Sequence, residues 1–384
     1  MSENVLMILN NHYTHDPRVT AEAESLTKGG YNVKVIAWDR KGQYPPHEII
    51  NGVEIIRIKI PKIFEMLIPF EILKVPIWQI LAYRMALQLY KNWKFRIVHV
   101  HDWPDLPIGV WLKKKLGVRV IYDSHEIWSY MFLRGLIPKF LREPVWREQY
   151  FVSRHVDVII TVSKGAAEYF LRFYPKVRLV RNMKQRRESK WERPDISTLR
   201  VVYIGGFDKN RCILELVKAI SKIGHKIEGI FAGPEVKGIS DVIVMHSNNF
   251  PVKYLGFIPR EQVLNVTKKG SLVYLVFNSK DPLYRIGLAN KLFEAIVVGR
   301  ACLAGKGTAS GKFVKDYKIG LVVNCEVEEI KKALITLIEN PKLIIKFGKR
   351  AYSIGSKYNW ERESKKLLKI YDILLEGDSN ADRG

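Results

Sequence analysis

The sequence predicts an α/β protein made of two Rossmann-like, doubly wound parallel sheets, one in each half of the chain. Three observations carry this. At 384 residues the chain is larger than one hydrophobic core usually becomes. Short β-branched or apolar runs alternate with helical patterns through both halves, as they do when parallel strands are joined by crossover helices. A highly charged stretch without hydrophobic periodicity, "RNMKQRRESKWERPDIST" (residues 181–198), lies between the halves and has linker composition. The expected organisation is a first domain over 1–182, a linker over 183–199, a second domain over 200–357, and a final helix and tail over 358–384.

The first strand is expected at "NVLMILN", followed by a helix over residues 17–30 and a strand at "NVKVIAW". Asp16 is placed to cap that helix, and Pro17 takes its first position, where a missing N–H costs nothing. Arg18 then stands at the helix N-terminus, where the dipole and free N–H groups favour an anion. The plainer alternative is an ordinary cap beside a surface arginine. Further strands are expected at "VEIIRIKI", "RIVHVH", "RVIYDS" and "VDVIITV". The second half repeats the rhythm with "LRVVYIG", "IEGIFAG", "SLVYLVF", "ACLAGK" and "GLVVN". A last helix follows at "WERESKKLLKIYDILL", and the tail "EGDSNADRG" reads as unstructured.

In such sheets ligands sit at the carboxyl ends of the strands. There, "VIYDSHEIW" clusters Asp123, Ser124, His125 and Glu126 just past an apolar run. A histidine in that place can hydrogen-bond a bound hydroxyl or share a charge, with an ordinary pKa near 6.5; the alternative is that the four residues only tie their own loop together. "VHVHDWPD" offers His99 and His101 with Asp102 beside them, either a partial metal-ligand set or satisfied structural side chains. In the second half, Gly205 and Gly206 end a strand and precede a helix, with Lys209 and Arg211 supplying charge, a pattern that lets backbone approach a diphosphate, the alternative being one of the many such turns that bind nothing. Neither half contains G-x-G-x-x-G or G-x-x-x-x-G-K-[ST], which argues against nicotinamide dehydrogenase and P-loop NTPase chemistry. A helix starting near Asn290 puts Lys291 and Glu294 in its first turns at the ligand edge. Lys291 there suits a phosphate and Glu294 the hydroxyls of a ribose, the alternative for Glu294 being simple complementation of the helix dipole.

The formal charge of +24 attracts polyanions, whether nucleic acid, anionic lipid or phosphorylated small molecules, or reflects lysine-rich surfaces alone. No recognisable nucleic-acid platform accompanies it, so no nucleic-acid partner is expected. Three cysteines, Cys212, Cys302 and Cys325, are odd in number and far apart, which suggests neither a disulfide framework nor a zinc knuckle and favours a reducing, cytoplasmic setting. No secretory signal or transmembrane run is apparent. Residues 59–96, rich in Ile, Leu, Phe and Trp among lysines and arginines, suit a membrane interface with Trp78 and Trp93 at headgroup depth, core packing being the alternative that explains much of the same pattern. "WSYMFLRGLIPKFLREPVW" is a second such stretch.

The ordered set "HDPRVTAEAESLTKGGYNVKVIAW", "VHVHDWPDLPIG", "VIYDSHEIW", "YIGGFDKNRCILELVKAI", "VKYLGFIPREQVLNVTKKGSLVYLVF", "NKLFEAIVVGRACLAG" and "YNWERESKKLLKIYDIL" resembles the family 4 glycosyltransferases of the GT-B fold over nearly the whole chain. The resemblance implies two domains facing across a cleft, with a UDP or GDP sugar held mainly by the second domain and the last helix crossing back to the first. It assigns Glu294 to the ribose, as the second glutamate of an E-x7-E motif, Arg211 and Lys291 to the diphosphate, and His125 to the donor sugar. Gly205, Gly206 and Lys209 then belong to the donor side, and Asp16, Arg18, Asp123 and Glu126 to the acceptor side or cleft. Ile286 stands where the motif has its first glutamate, and Gly206 where many relatives have arginine. The resemblance implies retaining hexosyl transfer, usually without metal and with no cofactor, to a hydroxyl acceptor; the apolar and basic segments suggest an acceptor that is lipid-linked or part of an envelope glycan, at the cytoplasmic face of a membrane. A sugar-nucleotide epimerase or phosphorylase, a non-catalytic relative, and a basic nucleic-acid-binding protein are the competing readings.

Overall fold

The computed structural model describes residues 2–14, 16–68, 70–128, 139–185 and 190–381. The chain divides into two compact units, one comprising residues 1–181 together with everything from Ser364 onward, the other Asn182–Glu363.

The first unit holds an eight-stranded sheet in the order β3-β4-β2-β1-β5-β6-β7-β8. Its strands are β1 (Asn4–Leu9), β2 (Asn32–Trp38), β3 (His47–Ile50), β4 (Val53–Ile58), β5 (Ile97–His101), β6 (Arg119–Ser124), β7 (Val158–Thr161) and β8 (Val177–Leu179). All pair in parallel except β3, which runs antiparallel to β4. β1 is flanked by β2 and β5, so the strand order reverses beside it. Val5, Leu6, Met7 and Ile8 are wholly buried, as a central parallel strand covered on both faces must be.

β3 is an addition to the expected strands. It is joined to β4 by Asn51 and Gly52, both at positive φ (50° and 82°), the two-residue hairpin turn that an Asn-Gly pair favours. The Trp360–Ala381 helix returns to the first unit, where Leu367 and Tyr371 are fully buried. This helix also corrects the reading of the tail, since it runs through most of the stretch expected to be unstructured.

The second unit holds a six-stranded, all-parallel sheet in the order β11-β10-β9-β12-β13-β14. Its strands are β9 (Leu199–Ile204), β10 (Ile227–Ala232), β11 (Val252–Tyr254), β12 (Leu272–Leu275), β13 (Ala301–Gly305) and β14 (Gly320–Val323). The order reverses beside β9. The Ile213–Ile223 helix buries Ile213, Leu216, Val217 and Ile220, a single stripe at helical spacing, against this sheet.

Cys212 and Cys325 form a disulfide across 113 residues, which overturns the expectation of unpaired thiols. The Ile213–Ile223 and Val327–Glu339 helices pack side by side. One cysteine stands just ahead of each helix, so fold topology rather than sequence spacing brings them together. Cys302 remains free and buried.

Candidate functional site

In the second unit the site residues gather where the strand order reverses, beyond the ends of β9 and β12, the expected place for a ligand in an open α/β sheet. Gly205 follows β9 with φ 136°. A Cβ built on it would lie 2.7 Å from Lys291 Nζ, so the missing side chain lets the ammonium rest against the backbone. Asp208 accepts a hydrogen bond from the Asn210 N–H and so shapes the 3-10 turn Lys209–Arg211. Arg211 leaves that turn with Nε donating to Asp208 Oδ2 at 2.6 Å and to Tyr284 Oη at 3.1 Å, while its Nη1 lies 3.3 Å from Tyr203 Oη.

The Asn290–Val298 helix begins where the sequence placed it, and its N-cap residue Ala289 offers no side-chain cap. Lys291 is buried with Nζ 4.4 Å from the centroid of the Tyr203 ring and 5.6 Å from that of Phe277. Burial, and then the neighbouring Arg211, lower its pKa to about 7. Glu294, also buried, lies one turn on, its Oε1 3.4 Å from Lys184 Nζ. Arg211, Lys291, Gly205 and Gly206 therefore form one cationic, glycine-floored group with Glu294 on the same helix as Lys291. Lys209 is exposed and takes no part in these contacts. Ile286 ends the short Pro282–Ile286 helix and is half-buried.

The first unit carries a second polar cluster at the ends of β1, β5 and β6. Asp16 caps the Pro17–Lys28 helix as expected, its side chain accepting from the Arg18 and Val19 N–H groups. Arg18 departs from expectation. Its guanidinium is buried, bound to both oxygens of Asp123 at 2.8 Å, to the Val180 carbonyl at 2.9 Å and to Glu22 at 2.9 Å. With its first N–H groups capped and its charge matched, that helix end is an internal joint and not an anion receptor.

His125 Nε2 lies 2.9 Å from Asp123 Oδ2 and Nδ1 lies 3.4 Å from Asp102 Oδ2. Asp102 Oδ1 also accepts the His125 backbone N–H, and Asp102 is held at a positive φ of 62°, a conformation non-glycine residues rarely adopt. Burial opposes the charge on His125, but Asp102 and Asp123 outweigh it and raise its pKa to about 10. The two acidic neighbours thus favour the protonated ring over the ordinary imidazole, whose pKa lies near 6.5. Burial raises Asp102 to about 6 and pushes Glu22 well above the usual carboxylate range. Glu126 is exposed, and only its carbonyl joins the loop, accepting from Ser124 Oγ.

His99 and His101 stack with centroids 4.3 Å apart, and Tyr371 of the final helix meets His99 Nδ1 at 2.7 Å. Burial, and for His99 also the neighbouring His101, lowers the pKa of both rings. The carboxylates near them are Glu22 and Asp123, and one ligand atom from each of the four lies within 4.8 Å of the others. Asp102, which the sequence grouped with these histidines, faces His125 instead. The Arg18 guanidinium lies against both acidic side chains, 2.8 Å from Asp123 and 2.9 Å from Glu22.

Sequence reasoning missed Tyr203, Asp208, Tyr284 and Lys184. Tyr203 and Asp208 flank the glycine pair and were within reach of a motif reading. Tyr284 and Lys184 come from a loop-helix and a charged connecting segment, and only the fold brings them in.

Residues 18–183 match the family described as Glycosyltransferase Family 4, and residues 185–354 match Glycosyl transferases group 1. The chain belongs to the family 4-like GT-B glycosyltransferases. This glycosyltransferase is similar to the uncharacterized glycosyltransferase MJ1178 of Methanocaldococcus jannaschii, with 23% identity over 306 residues, 77% of this chain and 80% of the relative. Sucrose-phosphate synthase from Thermosynechococcus elongatus shares its fold with a TM-score of 0.77 at 16% identity, over 98% of this chain and 100% of that one. Anabaena Alr3699/HepE, solved in complex with UDP and glucose, does so with a TM-score of 0.70 at 13% identity, over 96% and 99% of the two chains. Both halves of the glycosyltransferase are thus matched, and its two parallel-sheet units are those of the GT-B fold.

Proposed function

We propose that the chain moves a hexose-type sugar from a nucleoside-diphosphate sugar, with UDP or GDP as the carrier, to a hydroxyl acceptor, retaining the anomeric configuration and using no metal. The observation that carries this reading is the pairing of Arg211 with the buried Lys291 over Gly205, at the switch point of the second sheet. Two cations beside a bare backbone turn match a diphosphate. The structural neighbours solved with UDP and with UDP-glucose lend support to such a donor.

In the proposed reaction the C1–O bond to the diphosphate breaks as the sugar gains oxocarbenium character, and the acceptor oxygen bonds C1 on the same face. The departing phosphate takes the acceptor's proton. In this reading Lys291 and Arg211 meet the charge that grows on the leaving group, where preorganised electrostatics lowers a barrier most. Glu294 receives the ribose hydroxyls. His125 is assigned a catalytic part as a fixed positive charge, because both of its ring nitrogens face carboxylates.

The test is a thermal-shift series with UDP, GDP and their hexose conjugates on the wild type and Glu294→Ala. One nucleotide family should stabilise the wild type and fall well short with the variant. Equal stabilisation of both would remove Glu294 from the ribose, and no stabilisation by any of them would overturn the donor reading.

For the acceptor we propose a lipid-linked molecule reached from a membrane surface. Trp78 does not support this as expected, being fully buried, stacked on Trp38 and donating to Asp105 Oδ1 at 2.7 Å. Support comes from residues just before it. Ile63, Met66, Leu67 and Phe70, in and after the Lys62–Leu67 helix, are 61%, 84%, 71% and 59% exposed, a run of bare apolar side chains of the kind that enters a bilayer interface. The second stretch singled out in the sequence falls largely on residues 129–138, outside the described residues. Among the described residues no helix is long and apolar enough to cross a membrane.

A further inference from the structure

A concavity of about 550 Å³ lies beside β14, the last strand of the second sheet. Its cationic lining comes from Lys306 after β13, Lys315 and Lys318 at the end of the Ala309–Tyr317 helix, and Lys346 and Arg350 on the Pro341–Ile354 helix. It shares no residue with the group formed by Gly205, Arg211, Lys291 and Glu294. We propose that it is a second anion site, which takes an organic phosphate: a phosphate monoester or diphosphate carried on a small body with an apolar face.

Charge balance is the first argument. The acid among the described lining residues is Glu329, and both of its oxygens are engaged, by the Asn324 N–H at 2.8 Å and the Asn324 side-chain amide at 2.7 Å. The side chains of Lys315, Lys318, Lys346 and Arg350 have no hydrogen bond or ion pair among the described residues. Lys346 and Arg350 are four apart on one helix face, an arrangement that destabilises a helix when the charges are alike. A multiply charged anion would relieve that repulsion and gain several charge-assisted hydrogen bonds at once.

Two ordinary explanations account for less. Cations near a helix C-terminus complement its dipole, which covers Lys315 and Lys318 but not Lys346 and Arg350, in the body of their helix. Charges also protect an exposed sheet edge from pairing with other chains. β14 itself reads Gly-Leu-Val-Val and has none.

The floor defines the rest of the ligand. Leu321, Val322 and Phe347 line the concavity together with the cations, and its volume falls within the range of small-molecule sites, roughly 300–1,000 Å³. A bare phosphate would leave that apolar surface uncovered. The phosphate could come from a soluble metabolite or from a membrane lipid, and the experiment distinguishes them.

The test is a lysine-acylation footprint read by mass spectrometry on the full wild-type chain, with inorganic pyrophosphate, glucose 6-phosphate, or vesicles containing phosphatidic acid as probes. Lys315, Lys318 and Lys346 should lose reactivity by about tenfold at ten times the half-protecting probe concentration, as single-site occupancy requires, while the exposed Lys253 and Lys342 should not. Protection by the soluble probes identifies a metabolite-type ligand, and protection by vesicles alone a lipid phosphate. Protection should persist in Lys291→Ala and disappear at Lys315 and Lys318 in the Lys346→Glu, Arg350→Glu double variant. No protection with any probe, equal protection of Lys253 and Lys342, or loss of protection in Lys291→Ala overturns the proposal. Because the primary measurement uses the wild type, a variant that fails to fold does not affect it.

Discussion

Lys291 is buried beside an arginine, so its ammonium is at a disadvantage until an anion arrives. With its pKa lowered to about 7 in the free protein, it loses its charge as pH rises through neutrality, and binding a diphosphate then requires it to take up a proton. Nucleotide affinity should accordingly fall as pH climbs above about 7 and level off below it, which calorimetry in buffers of differing ionisation enthalpy would show together with proton uptake. Lys291→Ala should cost about 1.5–3 kcal/mol of nucleotide binding, the usual value of a hydrogen bond to a charged group. His125 gives the complementary expectation. Raised to about 10, it stays protonated throughout the working range, so kcat should show no rise with pH near 6.5; such a limb would mean that the ring acts as a base. The placement of Lys291, Glu294 and Arg211 on their elements was legible because strand ends and helix starts can be placed from pattern alone. The burial of Arg18 against Asp123 and the Asp102 carboxylate on His125 were not, since each joins side chains more than 20 positions apart in sequence.

At the scale of elements, the Lys62–Leu67 helix and the residues after it put Ile63, Met66, Leu67 and Phe70 into solvent. Met66→Asp combined with Leu67→Asp should leave folding intact, because both side chains are already in solvent, and should abolish flotation with anionic liposomes at low salt. Undiminished flotation would place the contact elsewhere. The apolar character of this segment was plain in the sequence, yet the sequence assigned the interface to Trp78, which the fold uses to fill the core against Trp38. Periodicity shows that a residue is apolar but not which of two apolar surroundings it meets. The β3–β4 hairpin is the reverse case: its Asn51-Gly52 turn was readable locally and passed over. The Cys212–Cys325 pair was not readable, because nothing short of the packing of two distant helices joins residues 113 apart.

The molecule as a whole departs from a simple two-part string, since the first unit is completed by the last helix. Leu367 and Tyr371 are fully buried there, and Tyr371 contacts His99 on β5. Burying each such side chain contributes on the order of 1.5–3 kcal/mol. Truncation before Ser364, where the first unit resumes, should therefore accelerate amide hydrogen exchange in β1 and β5, far away in the sequence, while leaving the β9 and β12 amides unchanged; a uniform effect on both sheets would contradict this division. The alternation of strands and helices was enough to predict both sheets, but the allegiance of the final helix followed from family resemblance and not from its own pattern. The arrangement also bears on biogenesis. A ribosome releases residues 182–363 before it releases Tyr371, so the second unit can reach its finished form while the first, though translated earlier, still lacks a part of its core. During that interval the first unit is the vulnerable one, and any chaperone that attends synthesis would find its client at the beginning of the chain.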